Sequence, residues 1–157
     1  MMDLLAALEN SGFGVWLRES PSIWAYPAVL TLHTVGLGVL VGGSAVLDLR
    51  LLGWGSAIPL APLEKLFPVM WIGFWVNAIS GVALFVGDAT TKGTTWLFMS
   101  KLAIIVVGVA LLMAMRRTVF GRGESGVVDT PVGRALAAAS LVVWFAAIVT
   151  GRYMAYV

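Results

Sequence analysis

Four side chains stand out in or beside long stretches of sequence that carry almost no charge: His33, Asn77, Lys101 and Arg152. Of these, only the imidazole of His33 both ligates metals as a neutral base and titrates near neutrality. It lies about eleven residues into a charge-free run from Ser20 to Leu47, hence ~16 Å along a helix axis and near the centre of a bilayer that the run would cross. An ionisable group is costly at that depth, and its presence points to function. Three chemistries are open to it: a metal or heme ligand, a proton relay, or a hydrogen-bonded structural histidine.

The neighbouring residues narrow the choice. Gly36 sits at i+3 from His33, on the same helix face, with Val29 and Leu37 completing an apolar surround. A glycine beside an axial histidine lets a flat macrocycle approach the helix backbone. Gly38 and Gly42 on the same helix form a small-residue seam suited to contact with another helix. Asn77 comes level with His33 when residues are counted from the outer interface, placed either to orient the imidazole or to bond Ser80 or the backbone. Lys101 comes about two turns inside the outer edge and Arg152 at that edge, so two cations stand on the outer side of a buried histidine. Heme b makes this demand, an imidazole for iron and cations for two propionates. The alternative is that both cations snorkel to the interface and Arg152 pairs with Asp88. No methionine matches His33 in depth. A five-coordinate heme, or a bis-histidine site shared by two chains, therefore fits a single histidine better than a His–Met site.

The elements that must position these residues follow from composition. The chain has 157 residues, 60% of them hydrophobic and 11% charged, with a mean hydropathy of +0.96. A soluble domain is nearer half apolar and a quarter charged, and so short a chain cannot bury this much apolar surface in a water-soluble core. There is no cysteine, which removes thiolate metal sites, iron–sulfur clusters, disulfides and cysteine nucleophiles. A net charge of +2 points to no nucleic-acid partner. The partner it does point to is the lipid bilayer.

Four runs are long enough to cross it: Ser20–Leu47, Leu66–Gly87, Gly93–Met115 (broken only by Lys101) and Ala135–Gly151. The expected fold is all-α, an integral membrane four-helix transmembrane bundle in a single domain over 1–157, with helices at about 22–48, 66–87, 94–116 and 135–154. Residues 2–19 read as an interfacial amphipathic segment, with Leu4, Leu5 and Leu8 on one face. The start Met1-Met2-Asp3 is acidic and does not read as a signal peptide. Residues 53–62 (GWGSAIPLAP) read as an irregular loop, 88–95 (DATTKGTT) as a tight polar turn, and 116–134 as a polar loop, where Gly121, Gly123, Gly126 and Pro131 oppose a long helix.

Lys and Arg are more frequent in the loops after the first and third spans (Arg50, Lys65, Arg116, Arg117, Arg122, Arg134) than on the other side (Arg18 and Lys92, with Lys101 and Arg152 just inside that boundary). This places both richer loops in the cytoplasm and both termini outside. Trp16, Trp24, Tyr26, Trp96, Tyr153 and Tyr156 would form the outer aromatic belt, with Trp54 and Trp71 at the inner face. Trp75 and Trp144 lie deeper and read as filling the bundle. Asp48 and Arg50 close the first span and read as structural, pairing near Glu64 and Lys65.

The run YPAVLTLHTVGLGVLVGGSAVLDLRLLGW, with FWVNAISGVALF, FMSKLAIIVVG and the closing GRYMAY, resembles an uncharacterised family of small four-helix bacterial inner-membrane proteins over nearly the whole chain. More distantly the chain is similar to the HemJ-type protoporphyrinogen oxidases and to the copper-resistance D membrane domains. The shared features are His33 followed by Gly42-Gly43 and, with the HemJ type, Trp96 shortly before Lys101-Leu102. The resemblance implies heme b at His33 and an anion-binding role for Lys101. Asp48-Leu49-Arg50-Leu51 stands where the HemJ type has Leu-Pro-Arg-Leu, and the further histidines of both families are missing.

The resulting expectation is a heme b-binding inner-membrane protein. His33 is the axial metal ligand, Gly36 and Asn77 flank it, and Lys101 and Arg152 neutralise the propionates. Its use would be electron transfer, or redox chemistry on a hydrophobic substrate such as a quinone or porphyrin, as in a heme-dependent membrane oxidoreductase. A homo-oligomer through the glycine-rich first helix is expected. Two alternatives stay open: a transporter of a metal or small solute lined by His33, Thr34, Asn77 and Ser80, and a non-catalytic assembly subunit.

Overall fold

A computed structural model describes residues 2–121, 130–154 and 156. These are helical throughout apart from turns and connections. Two short helices come first, α1 (Met2–Glu9) and α2 (Gly12–Glu19), followed by α3 (Tyr26–Leu51), α4 (Leu66–Gly87), α5 (Ala89–Thr94), α6 (Trp96–Met115) and α7 (Pro131–Tyr153). A 3₁₀ turn at Ala61–Lys65 leads into α4, and a π turn at Arg116–Phe120 extends α6. Four helical segments are long and apolar enough to cross a membrane: Tyr26–Leu51, Ala61–Gly87, Trp96–Phe120 and Pro131–Tyr153. The chain is a multi-pass, all-α membrane protein. In lipid a helix pairs its own backbone groups, which is why α3 runs unbroken through Gly36, Gly38, Gly42 and Gly43.

Several boundaries differ from the sequence expectation. The first span starts at Tyr26, after a turn at Ser22–Ala25, and continues through Asp48 and Arg50 to Leu51. The interfacial segment is two helices, not one. Ser11 separates them and caps α2 by accepting the Gly14 N–H at 3.2 Å. The expected turn at 88–95 holds the short helix α5. The expected loop at 116–134 is shorter at both ends. The π turn occupies its start, and α7 begins at Pro131, where Thr130 accepts the Gly133 N–H at 3.0 Å and proline suits the first helical position. Gly123, Gly126 and Arg122 lie outside the described residues.

Contacts divide the chain into two compact units, Met1–Leu40 with Trp71–Phe98 and Val41–Met70 with Met99–Val157. In the first, the start of α3 packs on the end of α4 at glycines. A Cβ on Gly36 would stand 2.6 Å from the Asn77 backbone nitrogen, and one on Gly73 2.9 Å from the Gly36 oxygen. The same unit docks the N-terminal helices. Leu17 lies over Gly87 and Leu5 over Gly93, and the Glu9 carboxylate accepts both the Thr90 hydroxyl at 2.6 Å and the Thr90 N–H at 2.8 Å. Those two donors, hydroxyl first, hold the Glu9 carboxyl below its ordinary value, with a smaller contribution from Arg18. Leu4 and Leu8 stay exposed while Leu5 turns inward, so the apolar face of α1 is split between the protein and its surroundings.

In the second unit Trp144, 2% exposed, fills the space over Gly108, and Met70 fills that over Gly43. Phe67 meets Phe120 edge to face at 5.4 Å, with the Arg116 guanidinium over its ring. Trp144 fills its unit as expected. Trp75 does not, since it is 59% exposed. Of the expected belt, Trp16, Trp24, Tyr26, Trp54, Trp96, Tyr153 and Tyr156 are exposed, while Trp71 is half-buried and meets Phe74 edge to face at 5.4 Å.

Candidate functional site

His33 is held by α4 through a reciprocal pair of bonds. Its Nδ1 lies 2.9 Å from the Asn77 carbonyl oxygen and 3.2 Å from Ser80 Oγ. In return Asn77 Nδ2 donates to the His33 carbonyl at 2.8 Å. A carbonyl can only accept, so Nδ1 carries the hydrogen, and the neutral imidazole then has its lone pair on Nε2. Ser80 donates its own hydroxyl hydrogen to the Val76 carbonyl at 2.6 Å, which leaves its oxygen to accept from His33. Asn77 and Ser80 are buried, and His33 is partly exposed.

The local sequence explains the lock. Gly73, Asn77, Ser80 and Gly81 recur on one face of α4 at the spacing of successive helical turns. Gly73 lets α3 approach. Gly81 leaves room for the ring, because a Cβ there would meet His33 Cε1 at 3.0 Å. Asn77 and Ser80 supply the polar groups. Asn77 orients the imidazole through its backbone carbonyl, while its side chain secures the backbone of α3. The sequence expectation paired these residues correctly and missed Gly73 and Gly81. Both were legible as small residues in register with Asn77.

Gly36 has a different surrounding from the one expected. The backbone of α4 at Gly73 and Asn77 fills the space beside it, so this glycine serves helix contact and leaves no room for a ring there. Gly38 and Gly42 have no atom within 4 Å of a would-be Cβ, so their seam is not used within the described chain.

Lys101 and Arg152 belong to the second unit. Lys101 Cε and Nζ lie against Gly151 of α7, each 3.5 Å from a Cβ placed there. The glycine makes room for the lysine, and Arg152 is the next residue. The Arg152 guanidinium sits over the Tyr156 ring at 5.3 Å. Asp88 pairs with Lys92 at 3.5 Å, in place of the Arg152 pairing that the alternative reading held open.

Asp48 also departs from expectation. It is 0% exposed, and its partner is Ser44 on its own helix, whose hydroxyl donates to Oδ2 at 3.2 Å. Arg50 turns instead to the following loop, donating to the Ser56 and Ile58 carbonyls. The serines were the missed signal: Ser44 lies one turn before Asp48, and Ser140 is the one serine of α7.

Among the described residues no group of three His, Asp or Glu side chains is placed to hold a metal ion. No protein-family model, curated protein or solved structure matches the chain.

Proposed function

We propose that this chain is a heme b-binding protein of a bacterial inner membrane, in which His33 would hold the iron through its imidazole. The observation that carries the reading is the bond from His33 Nδ1–H to the Asn77 carbonyl. Ligating histidines characteristically donate their other ring nitrogen to a carbonyl or carboxylate, which fixes the tautomer and raises ligand basicity. A bare metal ion asks for three or four protein ligands. A metalloporphyrin brings its own ring nitrogens and asks for one or two, which suits a lone histidine.

The other residues fit the group in part. Asn77 and Ser80 orient the imidazole, and Gly81 gives it room. The Gly36 face is closed by α4, so a macrocycle would lie on another side of the imidazole. In the second unit Lys101 lies against Gly151 of α7, next to Arg152, and two such cations suit an anionic group. Held by His33, heme b would supply one-electron redox chemistry for electron transfer or for a hydrophobic substrate such as a quinone or porphyrin. The Lys and Arg bias puts both termini on the outer face of the inner membrane. The unused Gly38–Gly42 seam supports a homo-oligomer through the first long helix.

The test is the visible spectrum of the full chain in mild detergent, oxidised and dithionite-reduced, beside His33→Ala. A Soret band with b-type reduced bands, lost in the variant, is expected. A colourless protein made with ample heme overturns the reading. It would favour a second one, supported by the close Gly36–Gly73 contact, in which His33 only joins α3 to α4 in a non-catalytic assembly subunit.

A further inference from the structure

Three buried side chains of the second unit form a polar cluster that the His33 reading does not use. Ser44 and Asp48 stand one turn apart on α3, and Ser140 faces them from α7. All three are 0% exposed. Ser44 Oγ lies 3.2 Å from Asp48 Oδ2 and 3.1 Å from Ser140 Oγ. Two hydroxyl hydrogens are available, and the carboxylate and hydroxyl oxygens together offer more lone pairs than these can fill. The shortfall falls on one atom. Asp48 Oδ1 is buried with no hydrogen-bond partner, and among the described residues no cation lies within ion-pair distance of Asp48.

A buried carboxylate without a matching cation is expensive, and more so within a membrane span. We propose that Ser44, Asp48 and Ser140 form a binding site for a small monovalent alkali cation, sodium or lithium, with Asp48 Oδ1 as its anionic ligand. The donor set is hard oxygen throughout, the kind that holds s-block ions, with no nitrogen or sulfur to attract a transition metal. Its formal charge is −1, which a monovalent ion cancels and a divalent ion overshoots. Ser44 keeps its hydrogen on Asp48 Oδ2, and the two hydroxyl oxygens still have lone pairs to turn to the ion. The cluster draws on two separate helices, so an ion bound there joins α3 to α7 and stabilises the fold that presents it.

The experiment is thermal unfolding of the full chain in mild detergent, at fixed pH and ionic strength, in lithium, sodium, potassium or choline chloride. Sodium or lithium is expected to raise the midpoint by about 5 °C over choline. Equilibrium dialysis with radiolabelled sodium is expected to find one ion per chain. Asp48→Asn abolishes both effects. Ser140→Ala keeps the effect but needs roughly tenfold more sodium, the scale of one lost polar contact, and it keeps the proposal testable if Asp48→Asn fails to fold. Equal midpoints in all four salts overturn the proposal, as does discrimination that survives in Asp48→Asn. Neither readout involves heme, so this result stands apart from the outcome at His33.

Discussion

The His33 and Asp48 clusters both place polar groups on α3, and they are satisfied in opposite ways. Around His33 the donors of α3 and α4 each meet an acceptor. Nδ1 reaches the Asn77 carbonyl, Asn77 Nδ2 reaches the His33 carbonyl, and Ser80 reaches Val76. Around Asp48, Ser44 serves one carboxylate oxygen and is itself bonded to Ser140, while the other carboxylate oxygen stays bare. A saturated network orients a side chain, here by fixing the hydrogen of the imidazole on Nδ1. An unsaturated network has a bond still to make. On this comparison the first cluster is a positioned imidazole, and the second keeps a buried carboxylate oxygen with a bond still to make.

The largest effect that would break the comparison lies at the glycine contact under the first cluster. Gly36→Leu drives a side chain into the α4 backbone, with no flexible neighbour to yield. It should cost at least about 3 kcal/mol and remove folded protein in a melting experiment. Gly38→Leu enters open space and should leave the melt of the chain unchanged. Equal damage from the two would dissolve the distinction between a used and an unused glycine face.

A smaller effect separates Asn77 from His33. Asn77→Ala removes the side-chain bond to α3 but leaves the backbone carbonyl that orients the imidazole. The expected cost is about 0.6–1 kcal/mol in the melt, with the heme spectrum retained. Loss of the spectrum in Asn77→Ala would move the orienting role to the side chain.

The smallest effect is at the membrane edge. Thr90 holds the Glu9 carboxyl below its ordinary value of 4.5, so the folded state binds fewer protons there than the unfolded chain. The docking of α1 on α5 is therefore fully supported above the unfolded value and weakens as pH falls through the lowered, folded one. Hydrogen exchange of residues 2–9 should rise in that window, and Glu9→Gln should flatten the response. A response unchanged in Glu9→Gln would assign the acid sensitivity to another group.

Much of this architecture was legible in the sequence, because long charge-free runs leave a chain in lipid little choice but helix. The second span, Leu66–Gly87, has the same limits in both. The ends that shifted did so for local reasons. Asp48 and Arg50 looked like the end of the first span because they are charged, yet one is buried against serines and the other turns to a loop carbonyl. His33 and Asn77 were found by depth alone. The roles of Gly36 and Ser140 were not, because they depend on which helix stands opposite, and periodicity within one helix carries no information about that. Asp48 was misread for the same reason: Ser140, which bonds its partner Ser44, stands on another helix far along the chain.

The most direct test of the His33 assignment is chemical rescue. In His33→Gly the imidazole is removed and the position it occupied can admit a free one. The account predicts that the variant, purified with heme supplied, lacks the Soret band of the parent protein, and that added imidazole restores it. A Soret band that persists in His33→Gly without imidazole, or no band in parent and variant alike, would contradict it.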